Sequence, residues 1–209
     1  MNPDKPIVAV YGGTFDPFHK GHEAVVDSVL SHPEIAQLRL IPCYLPALKA
    51  EASASAKHRL AMLAAWREAH TERERIAVDA IEISRSGPSY TIDTIEALQT
   101  CHPQWQILFV LGVDAWNSLP HWHRIDDLTQ RVNFWVFNRA GEDRVIRHPD
   151  LRESNALSVL LTSSKGRFWL DPSVNKAVSS SAFRAQPHSE FRILPDSITN
   201  YVTTHGLYQ

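Results

Sequence analysis

Hydrophobic positions along the chain fall into two patterns that take turns. Short apolar runs rich in branched and aromatic residues recur at 7–11 (IVAVY), 38–42 (LRLIP), 76–83 (IAVDAIEI), 106–112 (QILFVLG), 133–137 (NFWVF) and 167–170 (RFWL). Between several of them the spacing is helical. Val25, Val26, Val29 and Leu30 supply i, i+4 pairs, Leu60, Leu63 and Ala64 repeat at i, i+3 and i+4, and Ile92, Ile95 and Leu98 at i, i+3 and i+6. Strands that are apolar almost throughout are buried on both faces, which is the condition of a parallel sheet between layers of helices. The pattern therefore predicts an α/β fold, a doubly wound parallel sheet.

The polar stretches divide that pattern. The Ala/Ser tract 50–56 (AEASASA) predicts a mobile loop, and the mixed charges of 140–158 a surface excursion. Near the end, Pro195 suits the first turn of a helix, Ile198 and Val202 share one face, and Gly206 supplies a stop, so 179–209 is expected to form a small helical C-terminal region. There is no internal repeat. A length of 209 residues suits one domain spanning 1–209.

Composition adds constraints. Hydrophobic residues at 44% and charged residues at 21% suffice for a core in a water-soluble chain. With 21 Lys and Arg against 23 Asp and Glu, the formal charge is -2, so no overall basic field draws the chain to nucleic acid or an anionic membrane, and an anionic ligand requires a local site. Cys43 and Cys101 lie far apart without a CxxC partner, which argues against a disulfide framework or a cysteine zinc site. No apolar run approaches the ~20 residues of a membrane span, and the start, MNPDKP, lacks the features of a signal peptide. A cytoplasmic protein is the expectation; the sequence leaves its oligomeric state open.

Chemistry concentrates after the first strand, where Gly12, Gly13, Thr14, Phe15, Asp16, Pro17, Phe18, His19, Lys20, Gly21 and His22 lead into a helix. Ligands of an open parallel sheet bind beyond the carboxyl ends of its strands. Adjacent glycines let backbone approach an anion, and helix-start amides point at it. His19 and His22, three apart, fall on one face of the first turn and converge on one group. Neither the P-loop spacing nor GxGxxG is present. A plain glycine turn with histidines capping a helix also fits this segment. A second anion site is suggested by Ser179, Ser180, Ser181 and Arg184, since the serines offer hydroxyls and the arginine, about a turn later, a planar fork. Taken alone, the segment is better read as an ordinary serine cap with a solvated arginine, because serine-rich caps are common.

Together the two segments acquire meaning. GGTFDPFHKGH resembles the signature of the HxGH nucleotidylyltransferases, and SSSAFR the C-terminal Ser-Ser-Ser/Thr-x-Ile/Phe-Arg element of that superfamily. GPSYTIDT at 87–94, LGVDAWNSLPHWHRIDDL at 111–128 and LPDSITNYVTTHGLY at 194–208 are similar to one branch, the bacterial nicotinate mononucleotide adenylyltransferases. The resemblance covers nearly the whole chain and implies a Rossmann-like sheet. It also implies a reaction in which nicotinate mononucleotide and ATP give deamido-NAD and pyrophosphate, with Mg2+ carried by ATP. Nicotinamide mononucleotide, another phosphorylated acceptor, or a non-catalytic nucleotide-binding module are the alternatives.

The resemblance assigns His19, His22 and Arg184 to catalysis. It assigns ATP binding to Gly12, Gly13, Thr14, Phe15, Gly112, Asp114, Ser179, Ser180 and Ser181 beside those three. Asp114 would accept ribose hydroxyls, although a helix-capping role suits it too. Tyr90 and Thr91 would offer helix-start amides to the nicotinate carboxylate and Trp122 would stack on the pyridinium, with His123, Lys49 and Arg139 completing the mononucleotide contacts. His121 and His123 flank Trp122 without forming a recognisable metal motif. The family's loop reads close to Pro-Asn-x-x-Pro-Pro-His-Lys/Arg, whereas this chain has Pro42, Cys43, Tyr44, Leu45, Pro46, Ala47, Leu48 and Lys49. An amide and an imidazole are thereby missing.

Overall fold

The computed structural model describes residues 5–48, 51–138, 145–163, 165–174, 178–186 and 191–209. In chain order the strands are β1 (Ile7–Gly13), β2 (Ile35–Pro42), β3 (Leu45–Pro46), β4 (Ile76–Val78), β5 (Pro88–Ser89), β6 (Gln106–Gly112), β7 (Asn133–Phe137), β8 (Arg152–Glu153) and β9 (Arg167–Asp171). The helices are α1 (Lys20–Leu30), α2 (Ala56–Ala69), α3 (Thr91–Cys101), α4 (Val113–Asn117), α5 (Ile125–Thr129), α6 (Leu157–Thr162), α7 (Ser180–Ala185) and α8 (Asp196–Thr204). Seven strands form one sheet in the order β4-β2-β1-β6-β7-β9-β8, parallel throughout. β3 and β5 pair separately, also in parallel.

The period of two in the central strands builds both cores. Leu108 and Val110 of β6, with Trp135 and Phe137 of β7, enter the core on one face, where α1, α2 and α8 pack. Phe109 and Leu111, with Phe134 and Val136, enter the other, under α3 and α4. Such burial at roughly 25 cal/mol per Å2 of apolar surface is the main force holding the layers together. From β1 the chain winds outward through β2 and β4, then crosses back to begin β6 on the other side of β1. The switch point, where a ligand crevice opens, lies at the carboxyl ends of β1 and β6.

Three expectations need correction. The run 76–83 is strand only to Val78, because Asp79 accepts the Ile81 N–H at 2.9 Å and Ser84 N–H bonds Ala80 C=O at 2.9 Å, which turns the chain out of the sheet. In the 50–56 tract, residues 51–55 are pinned rather than loose: the Ser53 and Ala54 amides donate to the buried Asp16 carboxylate at 2.7 and 3.0 Å, and Ser55 caps α2. Within 140–158, the described part from 145 is more than an excursion, since it adds the edge strand β8 and buries Leu151 and Leu157. The C-terminal region is helical as expected, with Pro195 capping α8 and Ile198 and Val202 buried.

Candidate active site

The strand β1 ends in Gly12 and Gly13, and the loop beyond doubles back tightly. Phe15 adopts φ 50°, a left-handed backbone unusual for an aromatic residue. A Cβ on Gly13 would stand 3.1 Å from that ring, so glycine is what lets Phe15 fold beneath the strand end. Gly21 is more constrained still. A Cβ there would lie 2.6 Å from Val178 Cγ2 and 3.0 Å from the His19 ring, so any side chain would push the 178–181 segment off the first turn of α1.

His19 and His22 make a reciprocal capping box. His19 Nδ1 accepts from the Gly21 and His22 amides at 3.1 and 3.3 Å, and His22 Nδ1 accepts from the His19 amide at 3.2 Å. The rings stack with centroids 3.7 Å apart. Because both Nδ1 atoms receive backbone protons, the hydrogen-bond network assigns the neutral rings to the Nε2–H tautomer. Each imidazole thus turns a donor edge away from the helix start. The capping role expected as one reading of the sequence is present, and the two rings lie side by side at the helix start.

Behind the loop lies a buried carboxylate. Asp16, 2% exposed, receives the Ser53 and Ala54 amides and the Tyr208 hydroxyl, the last at 2.7 Å, and stands 3.6 Å from Arg184 Nη1. Burial first, and then the hydrogen bond to Asp16, push the Tyr208 phenol well above its usual range. Arg184 Nη1 also donates to Asp16 C=O at 2.6 Å, and Nη2 reaches Ser181 Oγ at 3.4 Å. Ser180 Oγ donates to Pro17 C=O at 2.9 Å, while Ser179 caps α7 by accepting the Ala182 amide at 3.0 Å. The two sequence segments, more than 150 residues apart, are thus stitched together. Arg59, 1% exposed, adds donors to Thr14, Tyr44 and Ala54 carbonyls at 2.8, 3.1 and 3.1 Å.

A cavity of about 520 Å3 opens at the switch point. Gly12, Gly13, Thr14, Phe15, His19 and His22 line it from β1 and α1, and Gly112 and Asp114 from the end of β6. Ser179, Ser180, Ser181 and Arg184 close it from α7. Gly112 itself caps α4, so Asp114, one turn position further in and exposed, is not that helix's cap.

Tyr90, Thr91, Trp122 and His123, expected to hold the mononucleotide, lie outside that lining, in an adjoining region. Tyr90 is the N-cap of α3, and no side chain caps this 11-residue helix, so its first amides have no such partner. The Tyr90 and His123 rings lie 4.3 Å apart. Trp122 donates to Ser118 Oγ at 3.0 Å and meets Phe109 edge-on at 5.9 Å. Phe109 in turn stands 3.6 Å from where a Gly12 Cβ would be, which joins the two regions. The 43–48 loop is held beside α3 by the β3–β5 pairing and by the Tyr44 amide donating to Ser89 Oγ at 2.8 Å. Cys43 faces Thr14, with Sγ 3.7 Å from Oγ1, and burial pushes its thiol up. Leu48 is exposed. Lys49 and Arg139 lie outside the described residues.

Among the described residues, the group able to offer three ligands to a metal is Asp126, His148 and Asp150. It lies by the amino ends of β7 and β9, away from the cavity, and shares its pocket with Arg152, Lys165 and Arg167. Neither His121 nor His123 belongs to it.

Sequence reasoning missed Asp16, Arg59 and Tyr208. Asp16 was visible inside the loop motif but has no pattern of its own. Arg59 carried one signal, a charge on the buried face of an amphipathic helix, beside Met62, Leu63 and Trp66.

The family model described as cytidylyltransferase-like matches residues 10–186. The chain is 35% identical to a probable nicotinate-nucleotide adenylyltransferase of Hahella chejuensis over 100% of its own length and 98% of the relative's. It is 32% identical to one of Bacillus pumilus, covering 97% and 98%. Among solved structures it is similar to the Plasmodium falciparum nicotinic acid mononucleotide adenylyltransferase complexed with NaAD, with TM-score 0.76, 20% identity and 97% of each chain covered. The same enzyme complexed with APC gives TM-score 0.74 at 19% identity, again over 97% of each chain. At such identities the two structures establish the fold.

Proposed function

The chain belongs to the nicotinate-nucleotide adenylyltransferases of the cytidylyltransferase-like family, and on that premise we propose how its cleft carries the reaction. The enzyme joins nicotinate mononucleotide to ATP, giving deamido-NAD and pyrophosphate, a step of NAD biosynthesis. A mononucleotide phosphate oxygen attacks the α-phosphorus, a new P–O bond forms there, and the bond to the bridging oxygen of pyrophosphate breaks. A phosphate monoester with its second pKa near ~6 is already largely dianionic at neutral pH, so no general base is needed. What remains for the protein is alignment and the neutralising of charge on the transferring and leaving groups.

In this reading the Nε2–H edges of His19 and His22 donate to the triphosphate, and Arg184, with Ser179, Ser180 and Ser181, holds the departing pyrophosphate. Gly12, Gly13, Thr14, Phe15 and Gly112 allow close approach of ATP, and Asp114 accepts ribose hydroxyls. Tyr90 and Thr91 offer amides to the nicotinate carboxylate, while Trp122 and His123 flank the pyridine ring. Lys49 and Arg139 are assigned to the mononucleotide by their sequence positions alone. Mg2+ enters as part of the ATP substrate. The cavity residues suit that arrangement, because imidazole and guanidinium donors match phosphate oxygens, and Asp114 is an exposed carboxylate at the end of β6. Two unpaired cysteines agree with action in a reducing cytoplasm.

The observation that carries the proposal is the pair of stacked histidines with both Nδ1 atoms held by amides at the start of the helix, which leaves two ring N–H edges side by side. The test is to incubate purified protein with ATP, magnesium and a panel of phosphorylated acceptors, following pyrophosphate release and identifying the product. Deamido-NAD from nicotinate mononucleotide is the expected outcome. Pyrophosphate release only with acceptors lacking a pyridine ring, or with none, would refute it.

A further inference from the structure

We propose that Arg59 is a positioning residue for the transfer, its buried guanidinium fixing the 43–48 loop against the loop after β1 so that the two substrates meet in register. The inference rests on the reading that places ATP at the loop after β1 and the mononucleotide beside the 43–48 loop. Arg59 sits in the first turn of α2, where its amide bonds Ser55 C=O at 3.0 Å, and it is 1% exposed. Its Nε donates to Ala54 C=O at 3.1 Å, Nη1 to Thr14 C=O at 2.8 Å and Nη2 to Tyr44 C=O at 3.1 Å. Each nitrogen of the guanidinium thus holds a different segment, and Thr14 lines the cavity.

The segments it holds are those that have just left regular structure. The Cys43 amide bonds Gly13 C=O at 2.9 Å, which extends the pairing of β2 with β1 by one residue. Beyond that point Tyr44 is gripped at both backbone groups, its amide by Ser89 Oγ at 2.8 Å and its C=O by Arg59. Ala54 is gripped in the same way, since its amide donates to the Asp16 carboxylate at 3.0 Å while its C=O accepts from Arg59. Asp16 C=O in turn accepts from Arg184 at 2.6 Å. A continuous path of hydrogen bonds therefore runs from Arg184 through Asp16, Ala54 and Arg59 to Tyr44. It joins the residue assigned to the pyrophosphate with the loop beside the mononucleotide.

Packing alone does not account for a charge here. Met62, Leu63 and Trp66 fill the rest of this buried face of α2, and an apolar residue would complete it without the cost of burying a guanidinium. Among the described residues no carboxylate forms an ion pair with Arg59, so backbone carbonyls supply the compensation. Only a planar fork with donors on every nitrogen reaches all of those carbonyls at once. Lysine keeps the charge, but its single nitrogen cannot stand in three places.

The experiment compares wild type with Arg59→Lys. The groups assigned to each substrate are untouched, so nicotinate mononucleotide and a non-hydrolysable ATP analogue, titrated separately by calorimetry, should bind with near wild-type affinity. The stoichiometry of those titrations also gives the folded fraction. The kcat per folded chain should fall ~10-fold or more, the penalty for reactants that are bound but misaligned. Alkylation of Cys43 by iodoacetamide reads the loop without any substrate, because Sγ lies 4.0 Å from Arg59 Nη1. Burial pushes that thiol up and the Arg59 charge opposes the rise, so a lysine preserves the balance and a change in rate reports opening of the loop. Cys43 should react ~10-fold faster in the variant, the effect of losing about one hydrogen bond, with exposed Cys101 as the unchanged standard. Unchanged Cys43 reactivity overturns the tie, and a wild-type kcat per folded chain overturns its role in the transfer. A wild type that binds no mononucleotide overturns the reading beneath both. Should Arg59→Lys not fold, wild type decides by nuclear magnetic resonance: exchange of the Arg59 Nε–H should slow when either ligand binds alone, and exchange unmoved by both bound ligands overturns the proposal.

Discussion

The Tyr208 hydroxyl, one residue from the last, donates at 2.7 Å to the carboxylate of Asp16 in the first loop, 192 positions away. The ring packs edge-on against Phe183 of α7 at 5.6 Å. Asp16 is the point where the loop after β1, the 51–54 segment, Arg184 and Tyr208 meet, so the last helix's tail is built into the placement of the cavity-lining arginine.

Tyr208→Phe keeps the ring and removes the hydroxyl. A hydrogen bond to a charged group contributes roughly 1.5–3 kcal/mol, and Asp16 keeps its two amides, so the loss should fall near the lower figure and show in chemical denaturation. The pH dependence has a definite sign. The folded-state phenol is held above its usual ~10 by burial and by Asp16, so the native state keeps a proton that the unfolded chain releases. The Tyr208 contribution is therefore intact below pH ~10 and lost as pH climbs from there towards the folded-state value. Wild-type stability should drop more steeply above pH ~10 than that of the variant; parallel curves would show that the phenol is not held in this way.

His22 has two jobs that substitution can separate. His22→Ala removes both the imidazole and the acceptor of the His19 amide, so it should lower kcat by ~100-fold or more and also cost ~1 kcal/mol of helix capping. Gln is a favoured residue at this position of a capping box. His22→Gln should therefore melt close to wild type while remaining as slow as the alanine variant. A His22→Gln enzyme with near wild-type kcat would remove His22 from the chemistry.

These two residues mark what was legible in the sequence. The doubly wound sheet could be read because apolar runs and helical spacing are local signals, and the His19–His22 pair because three residues of helix bring both rings to one face. Glu82 lies in an alternating run that reads as strand, and the side chain of Asp79, accepting the Ile81 amide, with the Ser84–Ala80 turn bond breaks it. The 50–56 tract reads as loose because its composition gives no hint that Asp16 will anchor it. Contacts such as Tyr208 with Asp16 or Arg59 with the Thr14 carbonyl depend on how layers stack, which no local pattern records. Gly21 is the intermediate case: the motif marks it, and Val178 at 2.6 Å explains it.

Arg184 is expected to serve the leaving pyrophosphate rather than the pyridine substrate. Arg184→Lys preserves the charge but loses the fork that spans Asp16 C=O and Ser181 Oγ. KM for ATP, or kcat, should worsen by ~10-fold or more while mononucleotide binding, measured by calorimetry without ATP, changes little. Equal damage to both substrates would move Arg184 out of the triphosphate site.

The two cysteines should differ sharply towards thiol reagents. Cys101 is exposed, whereas Cys43 is buried and its thiol is held up by that burial, so little of it is thiolate at neutral pH. Native protein should show one fast-reacting thiol by a colorimetric thiol reagent and two after unfolding. Two fast thiols in the native state would mean that the Cys43 loop opens readily.

The preference between nicotinate and nicotinamide mononucleotide follows from the start of α3. Its 11 residues are long enough for the partial positive charge of the first amides to matter, and no side chain caps them. A carboxylate accepts from those amides with charge in its favour, whereas a carboxamide turned the wrong way presents an N–H2 group to them, which costs an unmade hydrogen bond. The loop opposite weakens the case only in part. Cys43 faces Thr14 and Arg59 rather than supplying an amide, and Leu48 is 53% exposed where an imidazole is usual. Wild type should still favour nicotinate mononucleotide by ~10-fold or more in kcat/KM, which needs only ~1.4 kcal/mol. Cys43→Asn with Leu48→His should lower KM for nicotinate mononucleotide without reversing the order. A wild type that favours nicotinamide mononucleotide would defeat the helix-start argument, because the amides at Thr91 would then be making no use of the charge they are placed to recognise.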